Sequence, residues 1–515
     1  MRNKPISLCV MLVGGAVYAE PQFAPISAPH HVYSGGWEHF VGGGIAAFDC
    51  NGDHLPDLFA AGGAEHARLL RNTSSRGGEV TFIEATPGDL ALEHVVGSYP
   101  LDFDNDNVLD LAVLRVGPNL LLKGGEDCSF EPFKTLGFES PDKWSTAFSA
   151  TWEDGQELPT LAFGNYVDRN AVDGPFRACD SNALYRPNDK TYEPPAPLAP
   201  GFCALSMLFS DWGRRGQTDL RVSNDRHYYV DGGEEQLWKM TYPPRLFSEQ
   251  DGWNSFKLWG MGVASRDLTG DGQPEVFLSS MGDQRLQSLI KGSTGPTYQD
   301  VPFETGTTAH RPYVGGDGRP STGWHISFGD VQNDGRDDVF ISKGNVEQMP
   351  DSAMNDPNNL LVQGTDGNFV ERGDVSGLAS PHRGRGAVMM DFNLDGLLDL
   401  AVVNRRAPLE IYQNITENAG NWISVLLTQP APNVSAIGAW IELDDGRRIQ
   451  ARELTVGGGH AGGASGPEHF GLDTMDEVRL RIIWPDGDKS PWTTAQAGQM
   501  LSVTRSSDGV TLVSY

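Results

Sequence analysis

One ten-residue pattern returns along the chain: DCNGDHLPDL from Asp49, DFDNDNVLDL from Asp102, DLTGDGQPEV from Asp267, DVQNDGRDDV from Asp330 and DFNLDGLLDL from Asp391. Each copy sets oxygen-bearing side chains at its first, third, fifth and ninth positions and ends on apolar residues. Two worn copies complete the series. DWGRRGQTDL begins at Asp211, and WEDGQELPTL begins at Trp152 without the first and last acids. Successive copies start 50 to 63 residues apart, and a recurring period of this order means that a repeated supersecondary unit, rather than any single element, sets the fold.

A short run of small or apolar residues precedes each copy (GGGIAAF, GSYPLDF, GAVMM) and another follows it (LFAAGG, LAVL, VFLSS, VFIS). These runs predict two strands joined through the acidic loop, with Gly-rich turns and weaker strands filling the rest of the unit. A unit of this length suits a four-stranded blade, and seven of them suit a closed ring that leaves only short, protected edges. The expected fold class is all-β: a seven-bladed β-propeller with calcium-type loops, followed by a small C-terminal β-sandwich.

The loops carry their own chemistry. Acids at positions 1, 3 and 5 with Gly396 at position 6 resemble the start of an EF-hand calcium loop, but the last acid comes at position 9 and the chain then enters a strand instead of a helix. Crowded carboxylates repel unless a cation neutralises them, and calcium accepts six to eight oxygens in flexible geometry. The expected ligands are Asp49, Asn51, Asp53 and Asp57 in the first loop, with the Leu55 carbonyl at position 7, and Asp102, Asp104, Asp106 and Asp110 in the second. The fifth offers Asp267, Thr269, Asp271 and Glu275; the sixth Asp330, Gln332, Asp334 and Asp338; the seventh Asp391, Asn393, Asp395 and Asp399. The fourth fails, because Arg215 at position 5 repels calcium; its guanidinium is expected to pair with Asp211 or Asp219 in place of the metal. Equivalent turns around a ring point to a structural ion, since a catalytic metal needs an open coordination position and a cleft.

These repeats resemble FG-GAP/VCBS repeats, the calcium-loop blades also found in integrin α-chain propellers. The segment from Ser435 to Gly487 is similar to the ASPIC/UnbV domain, with IGA, HFGL and WPDG in the expected order, although PNVSAIGA lacks a polar triplet before IGA. Together the two parts resemble the bacterial relatives of cartilage acidic protein. The expected division is a signal peptide at 1–19, the propeller at 20–418, the ASPIC/UnbV-like β domain at 419–506 and a C-terminal tail at 507–515.

Arg2 and Lys4, then an apolar run from Ile6 to Val17 and the sequence Val17-Tyr18-Ala19, read as a secretory signal cut after Ala19. A lipid anchor on Cys9 is the competing reading. No other stretch approaches the ~20 apolar residues of a membrane span. The product is therefore expected to be exported, periplasmic or extracellular. Cys50, Cys128, Cys179 and Cys203 remain after cleavage, and four cysteines in such a chain permit two disulfides in three pairings. Cys179 with Cys203 is the favoured pair, since both lie in the Pro-rich connection between the third and fourth repeats. A formal charge of −29, from 68 acids against 39 Lys plus Arg, argues against nucleic acid and anionic lipid as partners.

Residues five to eight positions before each loop fall near the opposite end of the first strand, around the mouth of the ring. His94, Trp259, Trp324, His325, Arg383 and Arg385 occupy such positions, with Trp37, Glu38 and His39 slightly farther upstream, and form a candidate ligand face for an acidic or aromatic group. His325 and Arg385 belong to neighbouring repeats and are expected to share one pocket. No GxGxxG, P-loop, HExxH or GxSxG is present, and His469 within HFGL reads as a packing residue. Strand-length runs WISVLL, AWIELD, RIQARELTV and VRLRIIW build the C-terminal domain, whose GGGHAGGASG stretch around His460 reads as a flexible loop that docks back onto the propeller, caps a channel or contacts a partner. The expected function is a secreted, calcium-stabilised binding or adhesion module for a protein or glycan. The alternative is an exported enzyme with its site in the central channel or at the junction with the C-terminal domain.

Overall fold

The computed structural model describes residues 19–172, 178–225, 232–308, 310–506 and 509–515, so the signal sequence and Cys9 lie outside the described residues. The chain is all-β, with only single 3-10 turns as helix among the described residues. Its first part forms seven four-stranded antiparallel units. Each opens with a strand that runs into an acidic loop: Ile45–Phe48, Val95–Leu101, Lys143–Thr151, Ala204–Ser210, Gly260–Arg266, Gly323–Gly329 and Gly384–Met390. The position-9 residue is the first of the next strand, as in Asp57–Ala60, Asp110–Gly117 and Asp399–Asn404. The second and third units are additionally joined where Lys143 and Trp144 pair with Gly117 and Val116.

The first strands touch one another in chain order, and the first strand of the first unit also touches that of the seventh. The seventh unit draws its fourth strand from the other end of the chain: Phe23–Pro25 pairs with Glu410–Asn414. Apolar clusters fill the spaces between consecutive units; one joins Met207, Phe209 and Leu220 to Ala147, Ala162 and Leu184, another joins Leu208 to Val263 and Leu278. Each sheet is thus covered on both faces, which is why strands such as Val95–Leu101 are buried along their whole length instead of alternating.

The C-terminal part consists of two four-stranded sheets. One places Asn421–Thr428 between Glu468–Asp473 and, in parallel, Gln499–Ser506. The other is built on Trp440–Asp444 and Glu477–Ile483. Ile423, Val425 and Phe470 from the first meet Ile441, Leu443 and Leu480 from the second in one core. The expected tail is instead the last strand, since Gly509–Ser514 pairs with Gln499–Ser506.

The GGGHAGGASG stretch is a packed insert rather than a free loop. It leaves the C-terminal sheets, enters the middle of the seven units and bridges five first strands, through Val456 to Ala150, Gly457 to Leu208, Gly459 to Val263, Gly462 to Ser98 and Ala464 to Ala47. The receiving strands carry glycine where the insert comes closest: a Cβ on Gly44 or Gly97 would lie 1.7 or 1.8 Å from the Ala461 carbonyl.

Candidate functional site

The acidic loops share one hydrogen-bonded frame. The position-1 carboxylate folds back to accept amides of its own loop, as Asp330 does from Asp334 at 3.0 Å and Gly335 at 2.6 Å, and Asp391 from Asp395 at 3.1 Å and Gly396 at 2.7 Å. The position-9 acid ties three segments together. Asp399 accepts from Phe392 at 2.9 Å and Asn414 at 2.8 Å, and Asp57, Asp110 and Asp338 make the same pair of contacts in their units.

Positions 3 and 5 complete the cluster. The side-chain oxygens Asp104 Oδ1, Gln332 Oε1 and Asn393 Oδ1 stand at position 3 of three different loops, and each is buried with no hydrogen-bond partner. Buried acceptors are normally satisfied, so the same orphan at the same repeat position makes these three loops candidate cation sites. Carboxylate oxygens of Asp102, Asp104 and Asp110 also lie within 4.8 Å of one another. Burial raises Asp102 to about 6, Asp110 to about 8, Glu275 to about 8 and Asp391 to about 7, with neighbouring carboxylates adding to the shift. Asp330 and Asp338 are pushed well above the usual carboxylate range for the same reasons. These residues fit a hard cation with oxygen ligands. The second loop also holds a competitor, because the Lys123 ammonium pairs with both Asp104 and Asp106.

The worn loops are satisfied differently. In the fourth, the frame survives: Asp211 accepts from the Arg215 and Gly216 amides at 2.9 and 2.7 Å, and Asp219 accepts from Trp212 Nε1 at 2.9 Å. The Arg215 guanidinium pairs with neither acid, contrary to expectation; it stacks on Trp212 at 4.6 Å and donates to the Thr294 carbonyl. A planar cation beside an indole gains from the ring face without displacing the amides that already fill the carboxylate. In the third, Thr160 donates to Glu153, which Arg186 also holds.

The candidate ligand face divides. His94 and Trp259 are exposed, Arg383 is half-buried and Trp37 retains 41 % of its surface. Trp324, His325 and Arg385 are buried, which corrects their expected accessibility. The Arg385 guanidinium stacks on Trp324 at 4.0 Å and donates to the carbonyls of Phe40, Gly384, Asn345 and Val346, so it satisfies backbone rather than awaiting a ligand. His325 turns toward the glycine insert: its Nδ1 accepts from the His460 amide at 3.0 Å. The two residues therefore do not converge on a shared open pocket, because the insert occupies the middle of the ring. His460 seals this point, donating through Nδ1 to the Met261 carbonyl and accepting at Nε2 from Gly42.

A cavity of about 560 Å³ lies between the insert and the C-terminal sheets, with His325, Ser327, Trp422, Arg452 and His469 in its wall. With Nδ1 engaged as an acceptor, His325 carries its proton on Nε2 and donates it to Ser327 Oγ at 3.1 Å, the wrong tautomer to activate that serine. His469 donates through Nε2 to Asn333 Oδ1 at 2.7 Å, and burial lowers it to about 3, far from the range that suits a general base at neutral pH.

Sequence reasoning missed the docking of the C-terminal domain onto the acidic-loop side. Position 4 of several loops makes the contact. Asn105 Oδ1 accepts from the Asn433 amide at 2.7 Å, Arg214 pairs with Glu442 at 2.6 Å and stacks on Trp440, and Asn333 holds His469. In the seventh loop the Trp422 ring lies against Gly396, where a Cβ would fall 1.8 Å from Nε1. Asparagine at position 4 of the second and sixth loops was the available signal, since it tolerates the positive φ that Asn105 and Asn333 adopt; Arg214, also at positive φ, offered no such signal. Both disulfides form. Cys179–Cys203 is the favoured pair, and Cys50–Cys128 ties position 2 of the first loop to the second unit.

Among known proteins, the family model described as ASPIC and UnbV matches residues 429–509. Cartilage acidic protein 1 from Homo sapiens is 26% identical over 166 residues, covering 30% of this chain and 22% of the relative. The protein of the same name from Mus musculus is 28% identical over 158 residues, with the same coverages of 30% and 22%. The matched part thus spans about a fifth of the length of these curated relatives. Among solved structures, BBS1N in complex with ARL6DN matches 77% of this chain and 99% of its own at 9% identity and a TM-score of 0.44. The extracellular domain of the hybrid two-component system BT4673 from B. thetaiotaomicron matches 94% of this chain and 59% of its own at 9% identity and a TM-score of 0.40. The chain carries an ASPIC and UnbV domain at its C-terminus.

Proposed function

We propose that the seven four-stranded units are the blades of a calcium-stabilised, FG-GAP/VCBS-type β-propeller that works as an exported binding or adhesion module for a protein or glycan. Residues 20–418 form the propeller in this reading, and residues from 419 onward form a domain that closes one of its ends. The observation that carries it is the asymmetry of the ring. The acidic-loop end is covered by the C-terminal domain and the middle is filled by residues 456–464, which leaves the end bearing Trp37, His94, Trp259 and Arg383 for a partner. Exposed aromatic and cationic side chains on a rigid scaffold suit recognition.

Calcium supports this role from within the fold. The acids at positions 1, 5 and 9 would hold it in the first, second, fifth, sixth and seventh loops, with the orphaned position-3 oxygens of Asp104, Gln332 and Asn393 as further ligands in the second, sixth and seventh. Two disulfides and the absence, among the described residues, of any helix long and apolar enough to cross a membrane fit an exported protein. The reading is tested with glycan arrays and extracellular protein panels probed with wild type and with Trp37→Ala/Trp259→Ala. Loss of a wild-type partner in the double variant supports the open end as the binding face. Unchanged binding to every partner overturns it.

A further inference from the structure

The sixth loop differs from the others in how much of the C-terminal domain rests on it. Its position-3 carbonyl, Gln332 O, accepts the Gly420 amide at 2.9 Å, and its position-4 carbonyl, Asn333 O, accepts the Asp473 amide at 2.7 Å. The Asn333 side chain spans both directions: Nδ2 donates to Gly396 O of the seventh loop at 2.9 Å and Oδ1 accepts from His469 at 2.7 Å. Asp337 at position 8 pairs with Arg452 at 2.8 Å. Asp330, Gln332, Asn333 and Asp338 are all at most 3% exposed; the Gln332 amide donates to Asp334 at 3.0 Å, and its Oε1 is one of the orphaned acceptors. The docking residue thus stands between the two residues, Gln332 and Asp334, that would hold a cation.

We propose that calcium in the sixth loop is a latch for the C-terminal domain, and through it for the glycine insert in the middle of the ring. The inference rests on the calcium reading above. Asn333 keeps φ at 59° only while positions 3 and 5 fold inward on either side of it. A cation holds them there; without one, the buried acids Asp330 and Asp338 have no counter-charge to draw positions 3 and 5 inward, Asp334 is left to its partner Arg336, the turn loosens, and Asn333 loses its aim at His469. Because His469 and the insert belong to the same domain, loosening this contact loosens the hydrogen bonds of Gly458 to Met207, Gly459 to Val263 and Ser465 to Ala47. The fourth loop supplies an anchor that needs no metal, Arg214 on Glu442, so release is partial. Coupling of this kind is reciprocal: what calcium does for docking, docking does for calcium.

Hydrogen–deuterium exchange on the full mature chain tests the latch, with calcium binding followed in parallel by calorimetry. Chelation should lower protection of residues 457–465 by about tenfold or more while strand Asp338–Lys343 stays protected. His469→Ala should weaken one calcium site by about tenfold, and His469→Gln, which can still donate to Asn333, should restore most of it. Unchanged exchange in 457–465 on chelation of a protein that binds calcium overturns the latch alone. Equal loss of protection in all seven units overturns it too, since calcium then holds the ring and not the docking. A chain that binds no calcium overturns the calcium reading and the latch with it.

Discussion

The fourth and sixth loops share a backbone and differ in what sits at their centre. Asp211 and Asp330 each accept the amides of positions 5 and 6, and Asp219 and Asp338 each accept from position 2 and from the third strand of their unit. In the fourth loop, position 3 is Gly213 and position 5 is Arg215, whose guanidinium leaves the loop to stack on Trp212. In the sixth, Gln332 donates to Asp334 at 3.0 Å, Arg336 also pairs with Asp334, and Gln332 Oε1 is left without a partner. Positions 1 and 9 therefore build the turn through hydrogen bonds, and under the proposed calcium reading positions 3 and 5 decide whether it carries a cation. In that reading the acids do two different jobs, and only one requires metal.

The largest effect should come from removing calcium. At a hundredfold excess over its dissociation constant, one site stabilises the fold by about 2.7 kcal/mol, so chelation should lower the unfolding temperature well beyond error and calcium should restore it. Scanning calorimetry with and without chelator checks this; unchanged melting would mean that the shared hydrogen-bond frame suffices in every loop.

Arg385 comes next. Its guanidinium is buried against four carbonyls and Trp324, so Arg385→Ala should cost about 3–5 kcal/mol in chemical denaturation. Arg383→Ala, two residues away and half-buried, should change stability by less than ~0.5 kcal/mol. Equal losses would undo the distinction between a structural and an exposed arginine.

The docking side should respond to acid. His325 is lowered to about 4 and His460 to about 3, in both cases mainly by burial. The folded state binds fewer protons than the unfolded chain between these values and the ordinary 6.5, so their contribution is complete above pH ~6.5 and is lost as pH falls toward 4 and 3. At pH 5 each should cost about 2 kcal/mol relative to pH 7. Melting of wild type and His460→Gln across this range checks it: the variant should show the shallower acid slope.

The smallest contrast sets an acidic loop against a worn one. Asp104→Ala should weaken calcium binding at the second loop, although Lys123 softens the change by competing for the same carboxylates, whereas Asp154→Ala should leave calcium titrations unaltered. Equal effects would remove the assignment of the third loop as metal-free.

The repeat pattern made most of this legible. Every acidic or worn loop falls between the first and second strands of a four-stranded unit, because alternating acids beside buried apolar runs admit few other arrangements. Other features had no local signal. The strand Phe23–Pro25 is too short to be read from three residues, and its pairing with Glu410–Asn414 depends on a partner almost four hundred residues away. Trp324 and Arg385 looked accessible because position along a strand tells which end a residue is near, not what covers it. GGGHAGGASG looked flexible for the reason that lets it pack: only a chain with few side chains can approach the first strands closely enough to bridge five of them.

If the loops bind calcium as proposed, positions 3 and 5 alone should distinguish a cation site within the shared frame. Calcium stoichiometry, by calorimetry and native mass spectrometry, tests it in wild type, Asp334→Ala and Gly213→Asp/Arg215→Asp. The three atoms nearest to a Cβ at Gly213 all belong to the Arg215 side chain that the double variant removes, so the change relieves the closest contacts there. The account predicts one calcium per acidic loop in wild type, one fewer in Asp334→Ala and one more in the double variant. Identical stoichiometry in all three proteins would contradict it.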